Sequence, residues 1–438
     1  METDETYPLP AAEVVREAAD LADADGDPAW RVTLYAAWVA QLFSIMGFSF
    51  VMPFFPFYIR EELGVTDPQM VPIWAGLLAT AGGISMTATA PLWGMVADRY
   101  GRKLMVQRAM FAGAAILGLM GLVHNVNQLL ALRLLQGAFT GTISASVALV
   151  SSVTPRNRLG YSLGLMQTAV FTGASVGPFV GGWMADHFGY RMPFAATAVV
   201  LFVGGLLVLF GTRESFRRPA AAERSGDLTA RGLLGLPGVM TLLIVYFMLN
   251  LSGTVVGPIF PLFVERLMRT SQGAASTTGL LLAVGGIVAA VSSVAAGRLS
   301  DRMGHRRILI FSTAFAGLCT FPQAVARTVG QLLGMRVLFG LGAGGMSPSV
   351  NALMASIVPR NCLGRIYGFT TAASSIGIAI GPTVGGWLAS SAGLRMPFVL
   401  MGALLVLLAL TVSRRVSALA PPELLPVEGC EPAEAGRA

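Results

Sequence analysis

Charge is what this 438-residue chain has least of. Only 12% of its residues are Asp, Glu, Lys or Arg, against roughly a quarter in soluble domains. Histidine and cysteine are scarcer, with three of each. His124, His187 and His305 lie far apart without ligand spacing. Cys319, Cys362 and Cys430 form neither a metal-binding pattern nor a disulfide framework. No metal and no cofactor is expected. Residues 1–30 are acidic and lack an apolar core, so no cleavable signal peptide is read there. The net charge of +7 raises nucleic acid as a partner, but the basic residues sit in short loops and build no contiguous face, which argues against it.

Apolar residues fill the space that charge leaves. They make up 54% of the chain, and the mean hydropathy is +0.67. Runs of about 20 residues recur with hardly a charge inside, each long enough to cross roughly 30 Å of hydrocarbon as a helix. Twelve such spans are read, near 32–57, 72–96, 104–123, 128–153, 162–185, 192–211, 238–263, 278–298, 308–326, 331–357, 366–389 and 396–413. Only helices satisfy their own backbone groups in lipid, so the fold class is an all-α integral membrane protein. The lipid bilayer is its first partner.

Arginines and lysines cluster in alternate loops: Arg99, Arg102 and Lys103, then Arg156 and Arg158, then Arg302, Arg306 and Arg307, then Arg360 and Arg365. The positive-inside tendency makes those loops cytoplasmic, and an even span count puts both termini there.

The string GMVADRYGRK at 94–103 has a near copy, GRLSDRMGHRR, at 297–307. PRNRLG at 155–160 returns as PRNCLG at 359–364. GPFVGGWMADHFGYRMPF at 177–194 returns as GPTVGGWLASSAGLRMPF at 381–398, with two-thirds of the positions identical. The offsets hold at 203 to 205, which marks a duplicated six-span unit. The expected organisation is a tail at 1–30, a six-helix bundle at 31–212, a linker at 213–237, a second bundle at 238–415 and a tail at 416–438. Two parallel repeats with a site between them is a transporter plan.

The repeated charged cluster resembles the loop signature of the major facilitator superfamily. LLALRLLQG at 129–137 is similar to its fourth-helix signature, and GASVGPFVGG at 173–182 to its fifth-helix exporter signature. With FVMPFFPFYIREELG at 50–64, the chain looks most like the twelve-span bacterial multidrug-resistance drug:proton antiporters. That resemblance implies a secondary exporter of small amphipathic molecules in the cytoplasmic membrane, working by alternating access as a functional monomer with protons as the coupling ion. An organic-anion or metabolite carrier is the alternative. A non-transporting sensor would need a soluble output domain.

Three groups of residues are singled out. Asp98, Arg99, Arg102, Asp301 and Arg302 fall at span ends, where carboxylates can take hydrogen bonds from exposed amides at a helix start. In the family, such clusters latch the halves, which here places their partners near Gly364 and Gly160. The alternative is a topogenic anchor. Gly173, Gly177, Pro178 and Gly181, with Gly381 and Pro382, make a smooth helix strip, read either as a seam between the halves or as ordinary tight packing. For substrate binding, polar faces on the first, fourth, seventh and tenth spans give Gln41, Ser44, Phe48, Arg133, Gln136, Asn250, Arg336 and Asn351. The resemblance makes those spans the cavity lining. Arginine deep in a span is costly and rarely idle, although both arginines could instead snorkel outward. No Asp or Glu lies within any span, so the proton carrier is implied by the resemblance alone. GASVG and GLGAGG match hydrolase and dinucleotide strings but lack the strand–turn–helix setting those require.

Overall fold

The computed structural model describes residues 29–155, 158–214, 238–357 and 363–415. The two tails, most of the linker and the loop carrying Arg360 and Cys362 lie outside these, as does the side chain of Asp98. Sixteen α-helices and no strand occur among the described residues.

Twelve stretches are long and apolar enough to cross a membrane. The first span is α1 (Ala29–Val51) and α2 (Phe55–Glu61), joined by a 3₁₀ turn at Met52–Phe54. Next come α3 (Met70–Tyr100) and α4 (Arg102–Met120). The fourth span is α5 (Val126–Phe139) and α6 (Thr142–Val153), and α7 (Leu159–Phe188) and α8 (Met192–Gly211) complete the first half. The second half repeats the order. It runs α9 (Val239–Val255) and α10 (Phe260–Met268), α11 (Ala274–Met303), α12 (His305–Val325), α13 (Val329–Ala343) and α14 (Met346–Ile357), α15 (Leu363–Ala392) and α16 (Met396–Arg415).

Only the first, fourth, seventh and tenth spans are broken, and these are the four on which polar faces were read. A broken helix leaves amide and carbonyl groups without helical partners, which lipid cannot supply. Such breaks are tolerated only against protein or a wet cavity. The first-span break follows from Pro53 and Pro56, the seventh from Pro258 and Pro261, since proline removes a donor. The fourth breaks at Gly141, whose φ of +128° is closed to most L-residues.

Each half packs around its own core. Phe55, Tyr58, Leu117, Met120, Phe194 and Leu201 anchor the first. The second holds Phe260, Phe263, Phe398 and Leu405 at one level and Leu242, Leu309 and Leu408 at another. A smaller apolar cluster joins the halves, with Phe54, Phe57 and Val71 meeting Leu262, Ala274 and Ala275.

The repeated GRK and GHRR strings make the turns between spans two and three and between eight and nine. Gly101 and Gly304 take φ of +96° and +91° there, which explains the invariant place of glycine in both copies. Glu214 accepts hydrogen bonds from the amides of Arg102 (2.9 Å) and Lys103 (2.8 Å) at the start of α4. Lys103 donates to the last carbonyls of α8, Leu209 and Thr212. These contacts tie the cluster into its own half.

Candidate functional site

The two halves touch at one end and part at the other. At the end away from the arginine clusters, Arg60 donates to both carboxylate oxygens of Glu265, at 2.7 and 2.6 Å. The same guanidinium also meets Glu61 at 2.9 Å. The repeat explains the pairing. FPFYIRE and FPLFVER place Arg60 and Glu265 at equivalent positions, so the internal two-fold brings them face to face. Identical residues there would set like charges together. The inverted order, RE against ER, makes them complementary, and that inversion was the signal available in the sequence.

Two seams continue the contact. In one, α7 lies against α11: a Cβ at Gly182 would overlap the Ala275 carbonyl, and one at Gly279 the Pro178 carbonyl. In the other, α15 lies against α3, with Gly386 on the Pro72 carbonyl and Gly76 on that of Pro382. Each seam carries its own polar lock. The Asp186 carboxylate accepts from the Ser276 amide (2.7 Å) and hydroxyl (2.5 Å) at the start of α11. Thr80 donates to the Ala379 carbonyl at 2.5 Å and accepts from Thr383 at 2.7 Å.

Just beyond the membrane segment, Arg191 holds Glu62 at 2.7 Å and donates to the Gly121 carbonyl. The Glu62 carboxylate raises the proton affinity of Arg191, so this guanidinium stays charged.

The arginine-rich end is different. Nothing approaches within 4 Å of the Cβ positions of Gly94, Gly160, Gly164, Gly297 or Gly368. Arg99, Asp301 and Arg302 are exposed, and none has a hydrogen bond or ion pair across the halves among the described residues. Arg102 instead reaches the Ala148 carbonyl in its own half, at 3.1 Å. Among the described side chains, no contact of these clusters joins the two bundles.

The glycine strip needs correction. Gly173, Gly177 and Gly181 pack on Ile45, Ser49 and Phe50 of α1, within the first half. Gly381 packs on Leu251 and Thr254 of α9, within the second. Only Pro178 and Pro382 belong to the seams between halves. A strip of glycines records close approach without recording to what, and the neighbouring glycines 182 and 386 face the other way round the helix.

The binding residues need correction too. Arg133 is only 8% exposed. Its Nε donates to the Leu78 carbonyl at 3.1 Å, its Nη1 to Gln136, and its guanidinium lies over Phe55. Gly82 leaves the room for it. Arg336 repeats this over Phe260, at 4.0 Å. Both sit between helices, neither snorkelled nor lining a described cavity. Ser44 bonds Thr142 at 2.7 Å, Asn250 donates to the Tyr246 carbonyl, and Asn351 accepts from the Tyr246 hydroxyl at 2.5 Å. Phe48 packs on the first core. Gln41 is 1% exposed and both its amide atoms lack partners.

A cavity between the halves lies further along the fourth span. It encloses about 540 Å³ and is lined from α3, α4, the α5–α6 break, α6 and α15. Thr140 and Ser144, four and eight residues beyond Gln136 on the fourth span, do line it. Arg133 and Gln136 do not, because the break at Gly141 uncouples the two segments of that span. Sequence reading missed Trp93 and Arg108, which form its wall.

Two six-helix halves, broken spans beside a cavity, and polar locks between the halves at one end define a polytopic membrane protein of the transporter class. The Major Facilitator Superfamily model matches residues 37–267 and 242–429. The chain is 34% identical over 370 residues to the multidrug resistance protein MdtG of Citrobacter koseri, covering 84% of this chain and 91% of that protein. It is 33% identical over 379 residues to the same-named protein of Klebsiella pneumoniae, covering 86% and 92%. The chain belongs to the major facilitator superfamily. Among solved structures, a bacterial homologue of the human lysosomal transporter Spinster matches with a TM-score of 0.74 at 15% identity, covering 90% of this chain and 99% of that one. The human organic anion transporter MFSD10 matches at 0.65 and 17% identity, covering 88% and 100%.

Proposed function

We propose that this protein is a secondary transporter that exports small amphipathic molecules, of the multidrug-efflux type, by alternating access. One observation carries the reading: the halves are joined at one end by Arg60–Glu265 and two glycine seams, while at the other no hydrogen bond or ion pair links the arginine clusters across the halves among the described residues. Rocking between that arrangement and its opposite would expose the cavity to each side in turn. The relatives named multidrug resistance proteins support the substrate type.

In this reading the arginine-rich end is cytoplasmic, both termini lie there, and the conformation described faces inward. Asp98 and Asp301 would meet the starts of α15 and α7 when that end closes, with Arg99, Arg102 and Arg302 bridging to the same ends. Protons are the proposed coupling ion and the monomer the working unit.

The test is uptake of a fluorescent amphipathic dye by inverted vesicles, with and without an imposed pH gradient. Gradient-dependent accumulation that exceeds empty-vector vesicles is expected. Equal accumulation in both would overturn export, and accumulation indifferent to the gradient would overturn proton coupling.

A further inference from the structure

The cavity beside the fourth-span break holds a cation that the fold does not use. Arg108 lies two turns inside α4, and its Nε and Nη1 are shielded from solvent without a hydrogen-bond partner among the described residues. Its guanidinium stacks face-on against the Trp93 ring, 3.5 Å from the centroid. Trp93 is fixed in turn, because its Nε1 donates at 2.6 Å to the Ala138 carbonyl, one of those released by the break. Snorkelling would carry the guanidinium to the aqueous end. Instead the stack holds it at the cavity wall, where its donors have nothing to bind.

Three further observations point to a ligand of negative charge. Arg102 lines the same cavity, and no carboxylate does among the described side chains. The start of α6 adjoins it, with no side chain capping its first amides, and such amides favour an anion. The far wall is Thr371 and Ser375 from the second half, so a bound molecule would contact both halves. The second half offers nothing equivalent. At the repeat offset of 203, Trp93 becomes Ala296 and Arg108 becomes Phe311, and Phe311 is 66% exposed. The pair is therefore no requirement of the duplicated fold.

We propose that Arg108 and Trp93 form an anion subsite in the translocation cavity, taking the carboxylate or sulfonate of an amphipathic molecule whose flat apolar body lies along α3. Arg108 supplies forked donors to the acid group, and Thr140 and Ser144 add hydroxyls. This rests on the transport reading for the cavity's role, but binding is measurable without flux.

The experiment is equilibrium binding of two dyes of matched size, one sulfonated and one quaternary ammonium, to the purified full-length protein in nanodiscs. Wild type should prefer the sulfonated dye, and Arg108→Gln should weaken it by at least about tenfold while leaving the cationic dye unchanged. Arg108→Lys should recover part of the loss. As a readout independent of the Arg108 variants, Ser375→Cys should be protected from a thiol reagent by the sulfonated dye, scored by mass on the peptide carrying residue 375. Equal affinity for both dyes, undiminished anion binding in Arg108→Gln, or no protection at residue 375 would each overturn the subsite. Anion binding that depends on Arg108 in a protein whose vesicles accumulate no more dye than empty-vector vesicles would uphold it and sink the transport reading.

Discussion

Arg133 and Arg336 occupy the same place in the two halves, each over the phenylalanine that follows a broken first helix. Their hydrogen bonding differs. The Leu78 carbonyl accepts from the Nε of Arg133 and Gln136 accepts from its Nη1. In the second half Phe339 stands at the position matching Gln136, and the buried Nε of Arg336 has no partner among the described residues. Duplication thus preserved the stacking and divergence altered the hydrogen bonding. Arg108 and Phe311 diverge further, from a cavity cation to an exposed ring. The shared features hold each half together, and the unshared ones are where the halves acquire separate work.

The largest expected effect separates packing within a half from packing between halves. Gly177→Leu would drive a side chain into Ser49 and Met46 of the same bundle, at a cost of about 3 kcal/mol or more if the helices cannot yield. Loss of folded, monodisperse protein is expected in size-exclusion chromatography. Gly279→Leu overlaps the Pro178–Phe179 backbone across the seam, so that protein should fold yet fail to close the end carrying Arg60. Equal yields from the two variants would erase the distinction.

Next comes the inverted pair. Glu265→Arg would place two guanidiniums together at a half-exposed site. After solvent screening the lost pair is worth roughly 1 kcal/mol, and repulsion adds to it. Labelling of a cysteine introduced at Gln69 should rise severalfold. The exchange Arg60→Glu with Glu265→Arg should restore the wild-type labelling rate, whereas persistent labelling in the double variant would show that the charges do not hold this end.

The arginine comparison gives smaller numbers. Arg133→Gln gives up bonds to Leu78 and Gln136 and should lower thermal stability by about 1–3 kcal/mol. Arg336→Gln should cost less. Phe339→Gln, giving the Nη1 of Arg336 the acceptor that Gln136 gives Arg133, should stabilise by roughly 0.5–1.5 kcal/mol. If Phe339→Gln destabilises, the ring contact of Phe339 with Arg336 outweighs the hydrogen bond.

The smallest effect is alkaline. Tyr190 lies between spans seven residues past Trp183, and burial raises its proton affinity above that of a free phenol, with Asp186 adding to the shift. A raised value in the folded state contributes stability that is complete below the unfolded value near 10 and is lost as pH rises beyond it. The unfolding midpoint should therefore fall above about pH 10, and Tyr190→Phe should flatten that decline. An unchanged slope in the variant would assign the alkaline loss to other groups.

Much of this architecture was written in local pattern. Apolar runs located all twelve spans to within a few residues, because the thickness of hydrocarbon fixes helix length whatever the neighbours are. The offset of 203 between GMVADRYGRK and GRLSDRMGHRR exposed the duplication, since near-identical residues at a constant spacing need no coordinates to be recognised. Spans one, four, seven and ten were distinguished by their polar residues, and the same four are broken.

What those residues touch was decided only in three dimensions. A helical face computed from Arg133 through Ser144 assumes an unbroken helix, and Gly141 breaks it, leaving Arg133 in a packed interface and Ser144 at the cavity. Gly177 and Gly182 look alike in sequence, but a rotation around one helix sends the first to its own bundle and the second to the other. Arg108, on a span with no other sign of a site, gained its setting from Trp93 across the bundle. Hydrophobicity and spacing act along the chain and can be read there. Partner choice depends on rotation, breaks and the approach of distant segments, which only the folded bundle sets.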